Sequence, residues 1–398
     1  MYFSLMRPEL MKKIGEFAGG LLVVMGDKSS DHRPTLIIKT HKEVILTARL
    51  QKGFKFYLAP CEAGGVSGLS LISAFFDDTE NPLTINSPLN PGASLTLAFA
   101  EWPDEFDVCF FDDHSRELLS CRATATLQAF RSRILREAKL SPSRPGEMHD
   151  QAEQWFSTRN PDDDRQAFLV TLGDELFPSS FVHLDARDDQ HAFHGSIGFS
   201  KTSLVRDDPG PPQERDIIFL LQRVFAPGSI IHGPIKIAGR DELADVVVLG
   251  DEVNILVQAK DSPNTVEMLT RTLDKKKSRS LHQLKEALSQ LGGSISSVRR
   301  DSLQHLKLAT GDEIHIDFTG KPVVGIVIIR ELFSDSYEEY SERAFTFMEK
   351  YQMPVVFFDY PEFNMLTRHC TSEQQLISAC DQVLSHAHEN GMYPKMRF

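Results

Sequence analysis

The sequence predicts an α/β (α+β) protein: a β-rich N-terminal domain followed by a C-terminal domain whose mixed central sheet is flanked by helices. Short β-type runs fill the first 130 residues, whereas strand-like and helix-like segments alternate after residue 206. The turn-forming run Asp-Asp-Pro-Gly-Pro-Pro at 207–212 separates the two patterns. We therefore expect a β-rich regulatory or partner-binding domain at 1–130, an irregular or helical connecting region at 131–205, and the main domain at 206–398.

The N-terminal region is predicted to start with a short helix at Pro8–Phe17 and to continue as strands. The predicted strands are Leu21–Met25, Thr35–Ile38, Val44–Leu50, Lys55–Leu58, Ser94–Phe99, Phe106–Phe111 and Leu118–Thr126. Gly64–Gly68 lacks both the phosphate-loop lysine and the nucleophile-elbow spacing, so we expect a loop. The acidic stretch Glu101–Asp113 would repel DNA, which favours recruiting a partner, sensing a ligand or joining subunits.

The most informative segment is Asp245–Lys260, which predicts a β-hairpin carrying polar groups. Val246–Leu249 and Val253–Ala259 are β-branched runs joined by the tight-turn sequence Gly250-Asp251-Glu252. Side chains alternate along a strand, so Gln258 and Lys260 share one face. A turn centred near Asp251 places Asp245 within about one residue of lying opposite Gln258, where Cβ atoms approach to about 5 Å.

These residue types suit binding of a hard divalent cation, Mg²⁺ or Mn²⁺. The expected oxygen ligands are the Asp245 carboxylate, the Gln258 amide oxygen and the backbone carbonyl of Ala259. A cation held there would polarise a scissile phosphate and acidify a bound water. Lys260 would orient that water and stabilise the charge that develops on phosphorus. The alternative is an ordinary hairpin with solvated polar ends.

The pattern resembles the PD-(D/E)xK nucleases, in which an Asp and then a Glu-x-Lys or Gln-x-Lys follow on adjacent strands. The Gln-x-Lys form is most similar to Mrr-type restriction enzymes. The resemblance implies a restriction-endonuclease-like fold and a metal-dependent DNA endonuclease of bacterial restriction or phage defence. It also implies a further acid on the preceding helix. Glu214 fits that position as a third metal ligand, because it opens the helix-periodic run Ile217, Ile218, Leu221, Val224 and Phe225.

The chain departs from the family pattern at two positions. Ala244 precedes Asp245 where the motif has Pro, and Gln258 replaces the commoner acid, which removes one negative charge from the metal site. The order of elements after the motif still agrees with the family, so the likeness covers 206–398. Those elements are a helix at Leu281–Leu291 ended by Gly292-Gly293, a strand at Lys321–Ile329, a helix at Tyr340–Tyr351, a strand at Val355–Phe358 and a helix at Cys370–His388.

The distribution of charge indicates where DNA would bind. The net charge of −13 argues against a nonspecific nucleic-acid coat protein. Residues 260–300 nevertheless hold nine Lys or Arg against four acids. The densest part is Lys275, Lys276, Lys277 and Arg279, a predicted surface for the DNA backbone, with a solvated helix face or loop as the alternative. Gln283 is expected to be a plain surface residue rather than part of the site.

The remaining features bound the class of protein. Five widely spaced cysteines favour reduced core residues, and the lack of a long apolar run or signal peptide favours a cytoplasmic protein without membrane contact. The group His183, Asp185, Asp188, Asp189, His191 and His194 is interpreted as a polar loop rather than a second metal site. Two alternatives stay open: a catalytically inactive nuclease-fold module binding nucleic acid or a partner protein, and an unrelated acidic scaffold. Analogy suggests a homo-oligomer such as a dimer.

Overall fold

The computed structural model describes residues 2–26, 33–63, 66–139, 145–178, 181–237, 239 and 241–396. The chain divides into two compact units. The first unit comprises Met1–His183, Ser203–Val205 and Asn264–Thr270. The second comprises Leu184–Thr202, Arg206–Pro263 and Arg271–Phe398. The predicted α/β class is confirmed, because helices flank a mixed sheet.

Helices and strands alternate through both units. The helices are α1 Phe3–Met6, α2 Met11–Glu16, α3 Lys42–Leu50, α4 Ser94–Ala100, α5 Gln128–Glu137, α6 Pro145–Ser157, α7 Pro161–Arg165, α8 Gly210–Leu221, α9 Val266–Leu269, α10 Leu273–Arg300, α11 Tyr337–Tyr351, α12 Tyr360–His369 and α13 Glu373–Asn390. The strands are β1 Gly20–Val24, β2 Thr35–Lys39, β3 Gly53–Ala63, β4 Val66–Phe75, β5 Leu83–Pro88, β6 Glu105–Phe111, β7 Glu117–Thr124, β8 Phe168–Glu175, β9 His183–Asp185, β10 Ser200–Thr202, β11 Ile230–His232, β12 Ile235–Lys236, β13 Val246–Leu249, β14 Asn254–Lys260, β15 Leu303–Lys307, β16 Glu313–Asp317, β17 Val323–Ile329 and β18 Val355–Asp359. Short 3-10 helices lie at Pro8–Leu10, Pro227–Ser229 and Ser334–Ser336.

The first unit is built on an eight-stranded sheet in the order β1-β2-β6-β7-β8-β3-β4-β5. Only β2 and β6 pair in parallel, and the other neighbours are antiparallel. One face packs a core rich in phenylalanine, where the rings of Phe54, Phe75 and Phe110 lie within 5.0 to 6.4 Å of one another. The predicted β-rich N-terminal region is therefore present.

Two predicted strands of the first unit are wrong. Val44–Leu50 and Ser94–Phe99 form α3 and α4. In α3 the five consecutive residues from Val44 to Ala48 are all buried, so the central part of the helix has no exposed polar face. Its short, β-branched apolar run therefore looks like a buried strand in the sequence.

The predicted connecting region 131–205 is also different in the structure. Most of it belongs to the first unit, which extends to His183 and includes α6 and α7. Strand β8 even lies inside the eight-stranded sheet, between β7 and β3. Of the predicted loop Gly64–Gly68, the first two residues lie outside the described residues, and Val66 to Gly68 already belong to β4.

The second unit contains a five-stranded mixed sheet in the order β11-β13-β14-β17-β18. Strands β11, β13 and β14 are antiparallel, whereas β14, β17 and β18 are parallel. Six of the seven residues of β14 are buried, so both faces of this strand are covered. Helices α8 and α10 pack against β14, and α11, α12 and α13 pack against β18. Smaller sheets are formed by β12, β15 and β16, and by β9 and β10.

The predicted helix stop at Gly292-Gly293 is wrong, because α10 is 28 residues long and continues through both glycines to Arg300. A Cβ atom at Gly292 would meet the Tyr351 ring at 2.5 Å. This glycine therefore allows α10 and α11 to approach closely rather than ending a helix. The final helix begins at Glu373 instead of Cys370, and α12 was not predicted.

Two predictions from composition can be compared with the described residues. All five cysteines are buried and unpaired, as expected for reduced core residues. In the described part of the chain, no helix is both long and apolar enough to cross a bilayer.

Candidate metal and active site

The predicted hairpin is present, and its register brings the two motif positions face to face. Strands β13 and β14 pair antiparallel, with Val246 opposite Val257, so Asp245 and Gln258 come next in register. The Gly250 amide donates to the Val253 carbonyl at 3.0 Å and closes the turn. Hydrophobic residues on both strands fix this register, because a slip of one residue would turn buried side chains to the opposite face.

Glu373, the first residue of α13, holds the hairpin turn. Its carboxylate accepts the backbone amides of Asp251, Glu252 and Val253 at 2.6, 2.8 and 3.2 Å. Three hydrogen bonds to one anion are stronger than neutral ones and leave the turn little freedom. The end of the hairpin opposite the site is thus anchored to a helix.

The Asp245 carboxylate and the Gln258 amide meet at the open end of the hairpin. Oδ2 of Asp245 accepts the Ala259 amide at 2.6 Å. One atom of the buried Gln258 amide lies 3.1 and 3.2 Å from the two Asp245 oxygens and 3.2 Å from Oε1 of Gln290. All three neighbours are oxygens. The other amide atom faces only hydrogen-bond donors, so the amide is satisfied by hydrogen bonds alone when its nitrogen points to Asp245 and Gln290. With the amide oxygen in that place, a cation shared with these oxygens is required.

Lys260 lies at the end of β14, on the same side of the strand as Gln258. Its Nζ is 3.0 Å from Oε1 of Glu286 on α10. The backbone carbonyl of Lys260 accepts the Gln213 amide at 3.1 Å and the Arg330 backbone N–H at 2.9 Å. The lysine is thus fixed at its backbone and oriented by one carboxylate.

Burial, and after it the nearby negative charge, raises the pKa of Asp245. Burial, together with the charges of Glu214 and Glu286, raises the pKa of Asp245 to about 7, although the Ala259 amide and Lys260 lower it. A metal-free carboxylate at Asp245 is therefore poorly compensated.

Glu242, three residues before Asp245, belongs to the same cluster of charges. Burial of its carboxylate raises the pKa of Glu242 to about 7, the nearby Asp245 and Glu214 raise it as well, and His232 and Lys260 oppose the rise. The residue as a whole is exposed, so solvent screens its carboxylate from these charges.

Glu214 is the fifth residue of α8, and its Oε2 lies 2.8 Å from Nε2 of His232 on β11. Its charge raises the pKa of Asp245, which places it near the predicted site. The carboxylate that the sequence assigns to the metal thus already contacts an imidazole. His232 itself was not predicted, because it comes from a strand that the sequence analysis did not identify.

Gln283 was expected to be a surface residue, and that expectation is wrong. It is 7% exposed and donates to the Asp261 carbonyl at 2.8 Å and to Oγ of Ser262 at 3.2 Å. It therefore fixes the chain directly after Lys260. Glu286 and Gln290, also missed, lie on the same helix, and their spacing from Gln283 is the sequence signal that could have found them.

The predicted basic patch lies on the first two turns of α10. Lys275 is exposed, and Lys276 is half-buried. Lys277 forms an ion pair with Asp335, and Arg279 donates to Oγ of Ser262 at 2.9 Å. Lys277 and Arg279 therefore have contacts within the protein that a nucleic acid would have to replace.

Among the residues that the structure describes, no three His, Cys, Asp or Glu side chains converge to hold a metal ion by themselves. In the stretch 183–194, Asp185 instead forms an ion pair with Arg187, and Nε2 of His191 lies 3.0 Å from the Asp185 carbonyl. A cation at Asp245 would consequently need amide, backbone or water oxygens as well.

Such a cation fits the residues present. Asp245 supplies a partly buried carboxylate of raised pKa, and the Gln258 amide is directly opposite. The N–H and C=O of a strand residue point to the same side, so the Ala259 carbonyl lies on the edge where its amide meets Asp245. An all-oxygen donor set of this kind suits Mg²⁺ or Mn²⁺.

No protein-family model, curated protein or solved structure matches this chain.

Proposed function

We propose that this protein is a metal-dependent endonuclease that hydrolyses phosphodiester bonds of DNA, with the Gln-x-Lys form of the PD-(D/E)xK site. One observation carries the proposal. The Asp245 carboxylate lies 3.1 Å from the Gln258 amide across a hairpin, and Lys260 follows on the same side of the strand. The register of the hairpin brings these groups together, and an ordinary hairpin has no need of a carboxylate, an amide and a lysine at these positions.

The residues divide the chemistry between them. Asp245, Gln258 and the Ala259 carbonyl would hold Mg²⁺ or Mn²⁺, which when bound supplies Lewis acidity at the phosphate and lowers the pKa of a coordinated water. Lys260 orients the attacking water and stabilises charge on the phosphoryl oxygens. Glu286, at 3.0 Å, keeps the lysine side chain extended toward the site until substrate arrives. Glu214, near enough to affect the pKa of Asp245, would complete the ligand set, directly or through water.

DNA is the proposed substrate, and the start of α10 is the proposed contact for its backbone. Lys275, Lys276, Lys277 and Arg279 supply positive charge close in sequence to Lys260. The proposal has three further parts. The protein would act in restriction or phage defence in the cytoplasm, and a homo-oligomer would cut both strands. A ligand or a protein would trigger it through the first unit.

Incubation of the purified protein with supercoiled plasmid and Mg²⁺ or Mn²⁺ tests the proposal. Wild type should convert the plasmid to nicked and linear forms, and EDTA should stop the reaction. Asp245→Ala and Lys260→Ala should abolish cleavage. The matched controls are Asp251→Ala in the hairpin turn and Lys307→Ala on β15, both of which change exposed residues outside the site and should cut normally. Cleavage that survives both site substitutions would reject the proposal.

A second candidate is a catalytically inactive nuclease-fold module that binds nucleic acid or a partner protein. It is favoured by the contacts that Lys260 and Glu214 already make, to Glu286 at 3.0 Å and to His232 at 2.8 Å. Gel-shift and plasmid assays on the same samples separate the two. The inactive module would bind DNA without cutting it at any divalent-cation concentration, and Lys260→Ala would change nothing but affinity.

A further inference from the structure

Helix α10 presents one polar stripe along the end of β14. Gln283, Glu286 and Gln290 are spaced i, i+3 and i+7, so they lie on one face of the helix. Each contacts a successive part of the hairpin strand or its continuation. Gln283 donates to the Asp261 carbonyl at 2.8 Å, Glu286 accepts from Lys260 at 3.0 Å, and Gln290 lies 3.2 Å from the Gln258 amide.

The contact at Gln290 is the one of the three that depends on the orientation of the Gln258 amide. The Gln258 amide atom lies between Oδ1 and Oδ2 of Asp245 and Oε1 of Gln290, at 3.1, 3.2 and 3.2 Å. Neighbouring ligands of an octahedral divalent cation are separated by about 2.9 to 3.3 Å, because each lies about 2.1 to 2.3 Å from the ion. The three distances from the Gln258 amide atom match the separation of ligands that share one cation, and they also match N–H···O hydrogen bonds.

We infer that Gln290 supplies a further oxygen ligand to the cation proposed at Asp245 and Gln258. This inference rests on the proposed function and adds a ligand from the helix that follows the motif. The site would then be one carboxylate and two amides, together with the Ala259 carbonyl and water. Two neutral amides in place of acids leave more net positive charge on the bound cation, which strengthens its pull on a phosphate oxygen.

The placement of the residue agrees with this role. Gln290 lies on the exposed side of the site, whereas Gln258 is 3% exposed, so a cation between them would have protein on one side and solvent on the other. That arrangement leaves coordination positions for water and for substrate. The helix backbone at Gln290 is also fixed, because its carbonyl accepts the Ser294 hydroxyl at 3.0 Å.

Direct titration of the full-length protein with Mn²⁺, with no DNA present, tests the inference. Free Mn²⁺ is read from its electron paramagnetic resonance signal, and Mg²⁺ is added as a competitor. Asp245→Asn should abolish binding. Gln290→Leu should weaken the Kd by tenfold or more, whereas Gln290→Glu should bind at least as tightly as wild type. Gln382→Leu and Gln382→Glu, at an exposed position of α13, control for loss of an amide and for added charge.

Each outcome has one meaning. Binding that is lost in Asp245→Asn, weakened in Gln290→Leu and kept in Gln290→Glu supports the inference. If Gln290→Leu binds Mn²⁺ with the affinity of wild type while Asp245→Asn binds none, the inference is overturned and the proposed function is left intact. Absence of Mn²⁺ binding in wild type, or equal binding in Asp245→Asn, overturns both. Thermal melts of every variant without metal establish that each is folded.

Discussion

Replacing Asp245 by Asn should abolish cleavage and at the same time stabilise the metal-free protein. The substitution keeps the shape of the side chain and an oxygen that can accept the Ala259 amide, which donates at 2.6 Å in the wild type. It removes a negative charge that Glu214 and Glu286 disfavour. A site built to bind a cation costs stability while the cation is absent, and this variant removes that cost.

The magnitude follows from the pKa. Burial, the largest cause, raises the pKa of Asp245 from 3.8 to about 7, which corresponds to at most about 4 kcal/mol at pH 8. The carboxylate is partly exposed and its neighbours can relax, so we expect about 1 to 2 kcal/mol. For a domain of 150 to 250 residues this raises the melting temperature by about 2 to 8 °C.

The pH dependence has a definite sign. A carboxyl group whose pKa is raised by folding holds its proton more tightly in the folded state than in the unfolded state. Its presence therefore lowers the free energy of unfolding progressively as pH rises from about 4 to about 7. Wild type and Asp245→Asn should therefore have similar stabilities near pH 4 and diverge toward pH 8, where Asn is the more stable.

Urea unfolding in EDTA, followed by circular dichroism at pH 4.5 and pH 8, measures the difference. Adding Mg²⁺ should stabilise wild type and not Asp245→Asn, since only wild type binds the ion in its folded state. An Asp245→Asn protein less stable than wild type at pH 8 in EDTA would refute the reasoning, because the carboxylate would then stabilise the fold without any metal.

Three further predictions concern the hairpin, the packing of α10 and the chemistry. Glu373→Ala should lower the free energy of unfolding by about 1 to 2 kcal/mol in urea titrations, because three turn amides lose their acceptor; an unchanged value would show that water replaces it fully. Gly292→Ala should lower the free energy of unfolding by about 1 to 3 kcal/mol, because its Cβ would meet the Tyr351 ring at 2.5 Å. The control Gly293→Ala, whose Cβ would have no atom within 4 Å, should be neutral or stabilising in the same urea titrations. Lys260→Ala should lower kcat for plasmid cleavage by about 100-fold or more with little change in KM; a change in KM alone would indicate a binding role.

The hairpin could be predicted because the information that defines it is local. The turn that starts at Gly250 sets which residues of the two strands lie opposite each other, and the alternation of side chains sets which of them share a face. The observed pairing of Val246 with Val257 agrees with this prediction. Helix α8 was predicted from its apolar periodicity for the same reason. Local patterns thus placed Asp245, Gln258 and Lys260 correctly with respect to one another.

The rest of the site depends on packing between distant segments. Glu286 and Gln290 reach the site only because α10 crosses the end of β14, and His232 only because β11 pairs with β13. Their residue types are common on protein surfaces, so nothing in their immediate sequence distinguishes them. A polar i, i+3, i+7 stripe on a helix that is otherwise apolar toward the sheet is the one signal available, and it requires the helix to continue past Gly292.

The same limit explains the errors in the first unit. Helix α3 buries every residue from Val44 to Ala48, so its central turn lacks the polar face by which a helix is recognised. Strand β8 joins its sheet between β7 and β3, which are distant in sequence, and no local pattern specifies that pairing. Both features are set by tertiary contacts.

The central claim is that Asp245 and Gln258 hold one divalent cation between them. Anomalous diffraction from crystals grown with Mn²⁺ tests it most directly. We predict a single strong peak about 2.0 to 2.4 Å from an Asp245 oxygen and from the Gln258 amide oxygen. A structure with Mn²⁺ at saturating concentration and no peak in contact with both side chains would contradict the claim.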